Sequence, residues 1–488
     1  MSRPRSPRPA RGRCCLQAAS SSAQLSPGAL ARSASFAVVA AFLALSARTA
    51  YMIPDDEALY ALAARWLWDG ILPYRDYFFA HPPGRLILAA PAVLLDGVIG
   101  IRLTTLGFFA LTAAAVHRAL SDAGRPGFGW LAVFLLLFTG PTLWEGPFLR
   151  GMGPVTAAVA WGLVLSARGR WLHAGLLMGA AGFVAFHVAP FMAGLGLLAL
   201  LSGRKATLAY AVGPALLLAT LGLLALALGD AFTDPVFAYH ARKPASGATA
   251  GQLQGFATLA GGTLVLASLG GVFWAVGPRV PRGSRPRVVL AALLCAGLYG
   301  IALLLFSSIH RYYFLPLMAP LAVLGAWATA SIAALTPRRW VGPAISALIV
   351  LSSLDPIHNQ WSRTEFSPQS QDNLVALAHA IDQRLPPGAK LAGDAIITPW
   401  LAWITGRELA DRQLDTNVKR FTAGMLDLPT YLSRIRADDL GALVTVDQHG
   451  LMQLDDFRPH LTDFEQVIVS ENQHALYAVR VWLPRQNQ

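Results

Sequence analysis

Three consecutive carboxylates, Asp55, Asp56 and Glu57, follow an apolar segment in a chain that is 55% hydrophobic and only 14% charged. Acids at the mouth of a membrane segment are costly to place and are kept where they do chemistry or bind an ion. Partial desolvation raises a carboxyl's pKa, which suits it to take a proton from a hydroxyl near neutral pH. The acids open a longer constellation. Asp55-Asp56-Glu57-Ala58-Leu59-Tyr60 is followed by Pro73-Tyr74-Arg75-Asp76, then by His81-Pro82-Pro83-Gly84 and Arg85. The competing reading of the triplet is plain helix N-terminal charge, which the helix dipole favours. For Asp76 it is a turn residue after Pro73-Tyr74.

The elements that must position these residues are membrane helices. Apolar residues come in long runs, such as 206–228 and 288–306. Crossing a ~30 Å hydrocarbon core needs about 20 of them. A β-barrel would show alternating segments of roughly 10 residues instead. About eleven crossings are expected by length, near 35–52, 101–119, 127–141, 153–167, 171–187, 188–202, 206–228, 257–277, 288–306, 313–335 and 340–355. The pair over 171–202 is short and is divided by His187 and Pro190, which also fits a shallow hairpin. The run 85–95 is too short to cross and reads as an interfacial or re-entrant helix closed by Gly97 and Gly100. Residues 54–100 then form one large outer loop with a second short helix over 57–69. Leu59, Leu62, Ala63, Trp66 and Leu67 fall at helical spacing there.

The net charge of +12 records topology rather than nucleic-acid binding. Lys and Arg collect in loops held on the cytoplasmic side: Arg118/Arg125, Arg168/Arg170, Arg204/Lys205, Arg279 to Arg287 and Arg338/Arg339. Residues 1–34, rich in Arg, Pro and Ser, read as a disordered cytoplasmic tail. An Arg-rich stretch before a short apolar run over 36–45 also fits a secretory signal, but the charge parity favours an uncleaved first helix. Three cysteines, Cys14, Cys15 and Cys295, have no metal-ligand spacing and make no disulfide framework. After Leu354 the patterning becomes that of a soluble domain, residues 356–488. A helix is expected over 373–385, a turn at Pro386-Pro387-Gly388, and strands over 442–446, 466–469 and 475–482. By parity this small α/β domain lies outside the cytoplasm. The scattered Asp394, Asp411, Asp415 and His449 form no motif in it.

Asp56-Glu57-x-x-Tyr60, the short helix ending at Gly70, Pro73-Tyr74-x-Asp76, and Pro82-Pro83 before an interfacial helix resemble the first loop of GT-C glycosyltransferases. The resemblance is to bacterial relatives of the dolichyl-phosphate-mannose protein mannosyltransferases and of the lipid A aminoarabinose transferase. It is most specific over residues 55–120 and extends weakly over the whole chain through the His310-Arg311-Tyr312 entry to a Pro-rich helix. It implies an all-α GT-C membrane domain over 35–355, with a small C-terminal α/β domain, in the bacterial cytoplasmic membrane. The implied activity is inverting transfer of a sugar from a polyprenyl-phosphate donor to a glycolipid, glycan or protein acceptor at the outer face.

Such a transfer needs a base at the acceptor hydroxyl and cations or polar donors at the leaving phosphate. The resemblance makes Asp56 the base, with Asp55 as the alternative one register away. Glu57 and Asp76 become supporting acids that orient the acceptor or hold a divalent cation, an ion that lipid-monophosphate donors generally do not require. For the phosphate, Arg311 with His310 is the first candidate, against plain interfacial snorkelling. Arg242 and Lys243 with His240 are the second. Tyr60, His81 and Arg85, within the motif loop, are further substrate- or phosphate-binding candidates. His187 stands where relatives often carry Lys, against a buried structural His. Glu145 and Arg150 either pair with each other or line the acceptor site, and Arg48 is within reach of the acidic loop. The membrane's own lipids are the remaining partners. The rival reading is a polytopic transporter or lipid flippase. Transporters place polar groups in mid-membrane, whereas this chain gathers its acids in the first outer loop.

Overall fold

The computed structural model describes residues 27–47, 55–95, 97–150, 152–243, 249–276, 286–306, 309–338, 340–362, 368–447, 450–470 and 478–485. Cys14, Cys15, Arg48, Arg279, Arg282, Arg285, Arg339, His449 and the Asp55 side chain lie outside the described residues.

Over the described residues, each expected apolar run is largely helical. A bilayer leaves backbone groups no other partner, so an apolar run of this length has little choice. The first four helices are α1 (Pro27–Ser46), α2 (Asp55–Trp68), α3 (Gly84–Val93) and α4 (Gly97–Asp122). Among the described residues, six helices are long and apolar enough to cross: 28–46, 99–122, 204–228, 287–305, 311–335 and 341–361. A seventh candidate, over 250–275, is bent by 86° at a break between residues 258 and 260. The remaining runs are shorter helices at 126–137, 152–167, 171–184 and 186–202. The expected first span is shifted. Its helix begins at Pro27, so residues 27–34 are helix rather than tail. Composition marks the apolar part of a helix and is blind to a polar extension beyond it.

The helix Leu315–Leu335 is the hub of the bundle and is buried over most of its length. It packs on α4, Gly129–Leu137, Met152–Ala167, Thr249–Val276 and Arg287–Leu305. Phe42, Phe109, Leu131, Met178, Phe191 and Met318 fill one continuous core around it.

The C-terminal domain carries a four-stranded sheet in the order β1-β2-β4-β3. The strands are β1 (Lys390–Gly393), β2 (Leu440–Val446), β3 (Phe464–Ser470) and β4 (Val479–Pro484). β1 and β2 are parallel, and the other pairs are antiparallel. Its first helix runs Pro368–Asp382. The four-residue β1 was not expected, because Lys-Leu-Ala-Gly is too short to show an alternation. Residues 475–477 of the expected last strand lie outside the described residues. Asp394, just after β1, accepts from the Val446 and Leu451 amides at 2.6 and 2.5 Å. Burial pushes its carboxyl up to about 7. These bonds make it a tie between strand ends rather than a reactive group.

Candidate functional site

The first loop is shaped by its punctuation. α2 ends in a left-handed Gly70 (φ +76°), with Ile71 N–H bonded to the Trp66 carbonyl at 2.9 Å and Gly70 N–H to Leu67 at 3.3 Å. This paired pattern is a glycine C-cap. Leu59, Leu62, Ala63 and Trp66 are buried beneath the helix. The Trp68 indole donates to the Ala90 carbonyl at 2.8 Å, fastening α2 to α3.

Tyr74 holds a positive φ of 69°, which is uncommon for a residue with a side chain and costs energy. Its hydroxyl donates to the His81 carbonyl, and its ring meets Phe232 edge-on at 5.0 Å. The kink therefore brings the His81 backbone back under the loop. Gly84 completes the placement. A Cβ there would lie 2.4 Å from the Phe183 carbonyl oxygen, so only glycine lets α3 approach the helix Trp171–Val184. That contact sets Arg85 beside His187. Gly84→Ala is expected to destabilise the protein by about 1–3 kcal/mol through overpacking. Thermal unfolding in detergent checks it.

These segments enclose a cavity of 460 Å³ whose lining includes His81, Arg85, His187, His240, Lys243 and Tyr313. Phe186, Phe237, Leu305 and Phe306 supply an apolar side to the same space. His81 Nε2 lies 2.9 Å from the Tyr60 hydroxyl, and the Arg85 guanidinium sits over the Tyr60 ring at 4.5 Å. Burial, reinforced by Arg85, holds the His81 imidazole well below its ordinary pKa, so it stays neutral. His240 donates from Nε2 to the Ala80 carbonyl at 2.6 Å. Burial first, then the nearby Lys419 charge, brings the Lys243 ammonium down to about 8. Arg85 Nε and His187 Nδ1 are buried and have no hydrogen-bond partner among the described residues. Buried polar atoms are normally satisfied, so these two sit where a ligand's acceptor or donor atoms fit.

Asp56 stands in the first turn of α2, half-buried. Its carboxylate is close enough to Lys243 and Lys419 to favour their charged forms. Tyr60, whose hydroxyl burial above all pushes up, feels the same carboxylate. The site thus pairs one carboxylate with a cation-lined cavity.

No family model matches the sequence, and no curated protein matches it. Solved structures do resemble it in three dimensions, among them two of one protein. The crystal structure of ArnT from Cupriavidus metallidurans bound to undecaprenyl phosphate matches with a TM-score of 0.61 at 15% identity, covering 92% of this chain and 97% of that one. The apo structure of the same protein matches with a TM-score of 0.56 at 14% identity, covering 92% and 98%.

The fold is that of ArnT.

The match takes in both the helical bundle and the C-terminal sheet, as the GT-C resemblance of the first loop led one to expect. Within this ArnT-type fold several expected site residues are placed elsewhere. Glu57 is not a supporting acid at the cavity. It is fully buried, 2.5 Å from Arg102 Nη1 and 2.5 Å from the Leu149 amide. Helical spacing carries it to the same buried face as Ala61 and Ala64. Asp76 closes its own turn, accepting from the Leu72 amide at 2.7 Å and pairing with Arg75 at 2.7 Å. The Arg75 hydrogen bond and that amide lower its pKa. Arg311 does not line the cavity. The 3₁₀ turn Arg311–Phe314 sends successive side chains about 120° apart, so Tyr313 faces the cavity while Arg311 sits over Trp144 at 4.8 Å. Arg311 lines a second cavity of 490 Å³ with Glu145, Gln252 and Phe256. His310 stacks on Tyr312 at 5.4 Å. Arg242 is exposed and is absent from the cavity lining. Glu145 and Arg150 do pair, at 2.8 Å.

Lys419 was missed. It comes from the C-terminal domain, which docks on the first loop through Trp400 against Ala58, Arg65 over Trp403 at 5.5 Å and Arg420 over Phe78 at 4.1 Å. Asn417 caps the short helix Val418–Thr422 through the Lys419 amide at 3.0 Å. The sequence signal was slight: an Asn-x-Lys-Arg with no recognisable motif. Among the described residues no group of three or more His, Cys, Asp or Glu side chains is placed to hold a metal ion.

Proposed function

We propose that this chain is an integral-membrane glycosyltransferase that moves a sugar from a polyprenyl-phosphate donor to an acceptor hydroxyl at the outer membrane face, with inversion. The observation that carries this reading is the buried, unpartnered Arg85 Nε in a cavity shared with Lys243, a cation whose charged form the Asp56 carboxylate favours. ArnT of the same fold was crystallised with undecaprenyl phosphate, which supports a lipid-phosphate occupant. The phosphate sits against Arg85, Lys243 and His187. The first isoprene units run along Phe186, Phe237 and Phe306. Asp56, rather than Asp55, accepts the acceptor's hydroxyl proton as its oxygen attacks the anomeric carbon. The bond from that carbon to the phosphate oxygen breaks, and the polyprenyl phosphate leaves with the electron pair. Arg85 and Lys243 stabilise the charge that develops on it. Lys419 and the C-terminal domain close over the acceptor side. The acceptor, a glycolipid, glycan or protein, enters past the Tyr312–Tyr313 ridge, where Trp144 and Arg311 line the second cavity.

Lys243 gives this site a pH signature. Its folded-state pKa of about 8 means that the positive charge is present below pH 8 and is lost as pH rises through it. The donor KM is therefore expected to rise above pH 8 in the native protein and to stay flat to about pH 10 in Lys243→Arg, because an arginine keeps its proton. Initial rates across pH 6.5–10 decide it, and parallel profiles for the two proteins would remove Lys243 from the phosphate site. The activity itself is tested by supplying labelled polyprenyl-phosphate sugars to proteoliposomes with a mixed membrane extract as acceptor. Label transferred to the extract supports the transferase. Movement of donor across the bilayer without transfer would make a flippase the better reading.

A further inference from the structure

A third cavity lies at the far end of α4. Arg102, near the start of α4, reaches Glu57 beside the proposed catalytic loop. At about 1.5 Å rise per residue, Arg118 stands roughly 24 Å further along the same helix. There α1, α4 and the helices Gly129–Leu137 and Met152–Ala167 enclose 520 Å³. Phe36, Val39, Ala113, Val133 and Trp161 make its walls. The Trp161 indole is fixed by a 3.1 Å hydrogen bond to the Leu111 carbonyl. Three guanidinium groups line the same space: Arg32, Arg118 and Arg168. Asp122 is their acidic neighbour, bonded to Arg168 at 2.7 and 2.9 Å and paired with Arg118 at 3.2 Å. Three positive groups against one carboxylate leave the mouth cationic. His117 lines the groove too, its Nδ1 2.8 Å from the Ser35 hydroxyl.

We propose that this groove binds an anionic phospholipid at the membrane face opposite the Asp56 site. A basic pocket between membrane helices matches a lipid phosphate, and the small side chains of Ala110, Ala113 and Ala114 leave a channel for an acyl chain beside it. Neither a zwitterionic lipid, whose own ammonium meets the arginines, nor a bare apolar chain uses both halves of the site. The proposal stands on this groove alone and is independent of the transferase reading.

The test uses the full-length protein, delipidated in detergent and then exposed to vesicles of phosphatidylglycerol or phosphatidylcholine. Retained lipid is counted by native mass spectrometry. The native protein is expected to retain at least tenfold more phosphatidylglycerol than phosphatidylcholine. Arg32→Gln/Arg118→Gln removes that preference through charge. Ala114→Phe removes it by filling the channel while every charge stays. Equal retention of the two lipids by the native protein, or an unchanged preference in Ala114→Phe, would overturn the proposal. So would displacement of the retained phosphatidylglycerol by equimolar undecaprenyl phosphate, because the groove would then belong to the donor lipid.

Discussion

Asp56→Asn is expected to slow sugar transfer by about 10²–10⁴-fold, the usual contribution of a positioned general base, while leaving donor binding intact. The substitution preserves the shape of the side chain and its place in the first turn of α2. The Arg85 and Lys243 side chains of the cavity are untouched. What is lost is the ability to take a proton from the acceptor hydroxyl. Removing the negative charge also strips Lys243 and Lys419 of a neighbour that favours their charged forms. That change lowers the pH at which the phosphate site weakens, so donor binding is compared at pH 6.5, where Lys243 keeps its charge in both proteins. Single-turnover transfer from a labelled donor measures the chemical step apart from donor release. A rate within a fewfold of the native protein would move the base to Asp55, and the same experiment on Asp55→Asn would then carry the loss.

Glu57→Ala is expected to have the largest effect on stability, about 3–5 kcal/mol, because it leaves the buried Arg102 without its counter-charge. The Glu57 and Arg102 side chains are 0% and 4% exposed. The same Glu57 oxygen also holds the Leu149 amide, so the variant strands a second buried donor. Glu57→Gln, which can still accept from both, should lose far less. Thermal unfolding of the purified proteins in one detergent ranks them. Glu57→Ala/Arg102→Met should recover part of the loss, since two apolar groups replace an uncompensated charge. A double variant no more stable than Glu57→Ala would contradict the ion-pair account. Because Glu57 adjoins Asp56, this pair acts as an anchor that fixes the proposed base relative to the membrane helices.

The sequence made the bundle legible for a physical reason. A bilayer forces long apolar runs into helices, so the runs could be placed, although their polar ends and the bend in Thr249–Val276 could not. The first loop was legible through its motif, with a short helix ending at Gly70 and with His81 and Arg85 beside Pro82-Pro83, whereas the close approach at Gly84 needed the packing of α3 on Trp171–Val184 to be seen. Two of the errors share one cause. Adjacent residues on a helix or 3₁₀ turn face different ways, and a motif read as a string ignores this. Glu57 lies one residue from Asp56, yet it faces Arg102. Arg311 lies two residues from Tyr313, yet it faces Trp144. The signal for Glu57 was present in the small residues Ala61 and Ala64, which continue its face into the core. Lys419 had no such signal, because it reaches the site only through the docking of a separate domain.

The most direct test of the central claim is to measure donor binding and single-turnover transfer together in Asp56→Asn and Arg85→Gln. A charge-assisted hydrogen bond to phosphate contributes about 1.5–3 kcal/mol, so Arg85→Gln should weaken donor binding by roughly 10–100-fold. Asp56→Asn should bind the donor as the native protein does and fail at transfer. Native-like donor affinity in Arg85→Gln, or donor binding lost in Asp56→Asn with transfer at saturating donor unchanged, would contradict the division of labour between the cavity and the carboxylate.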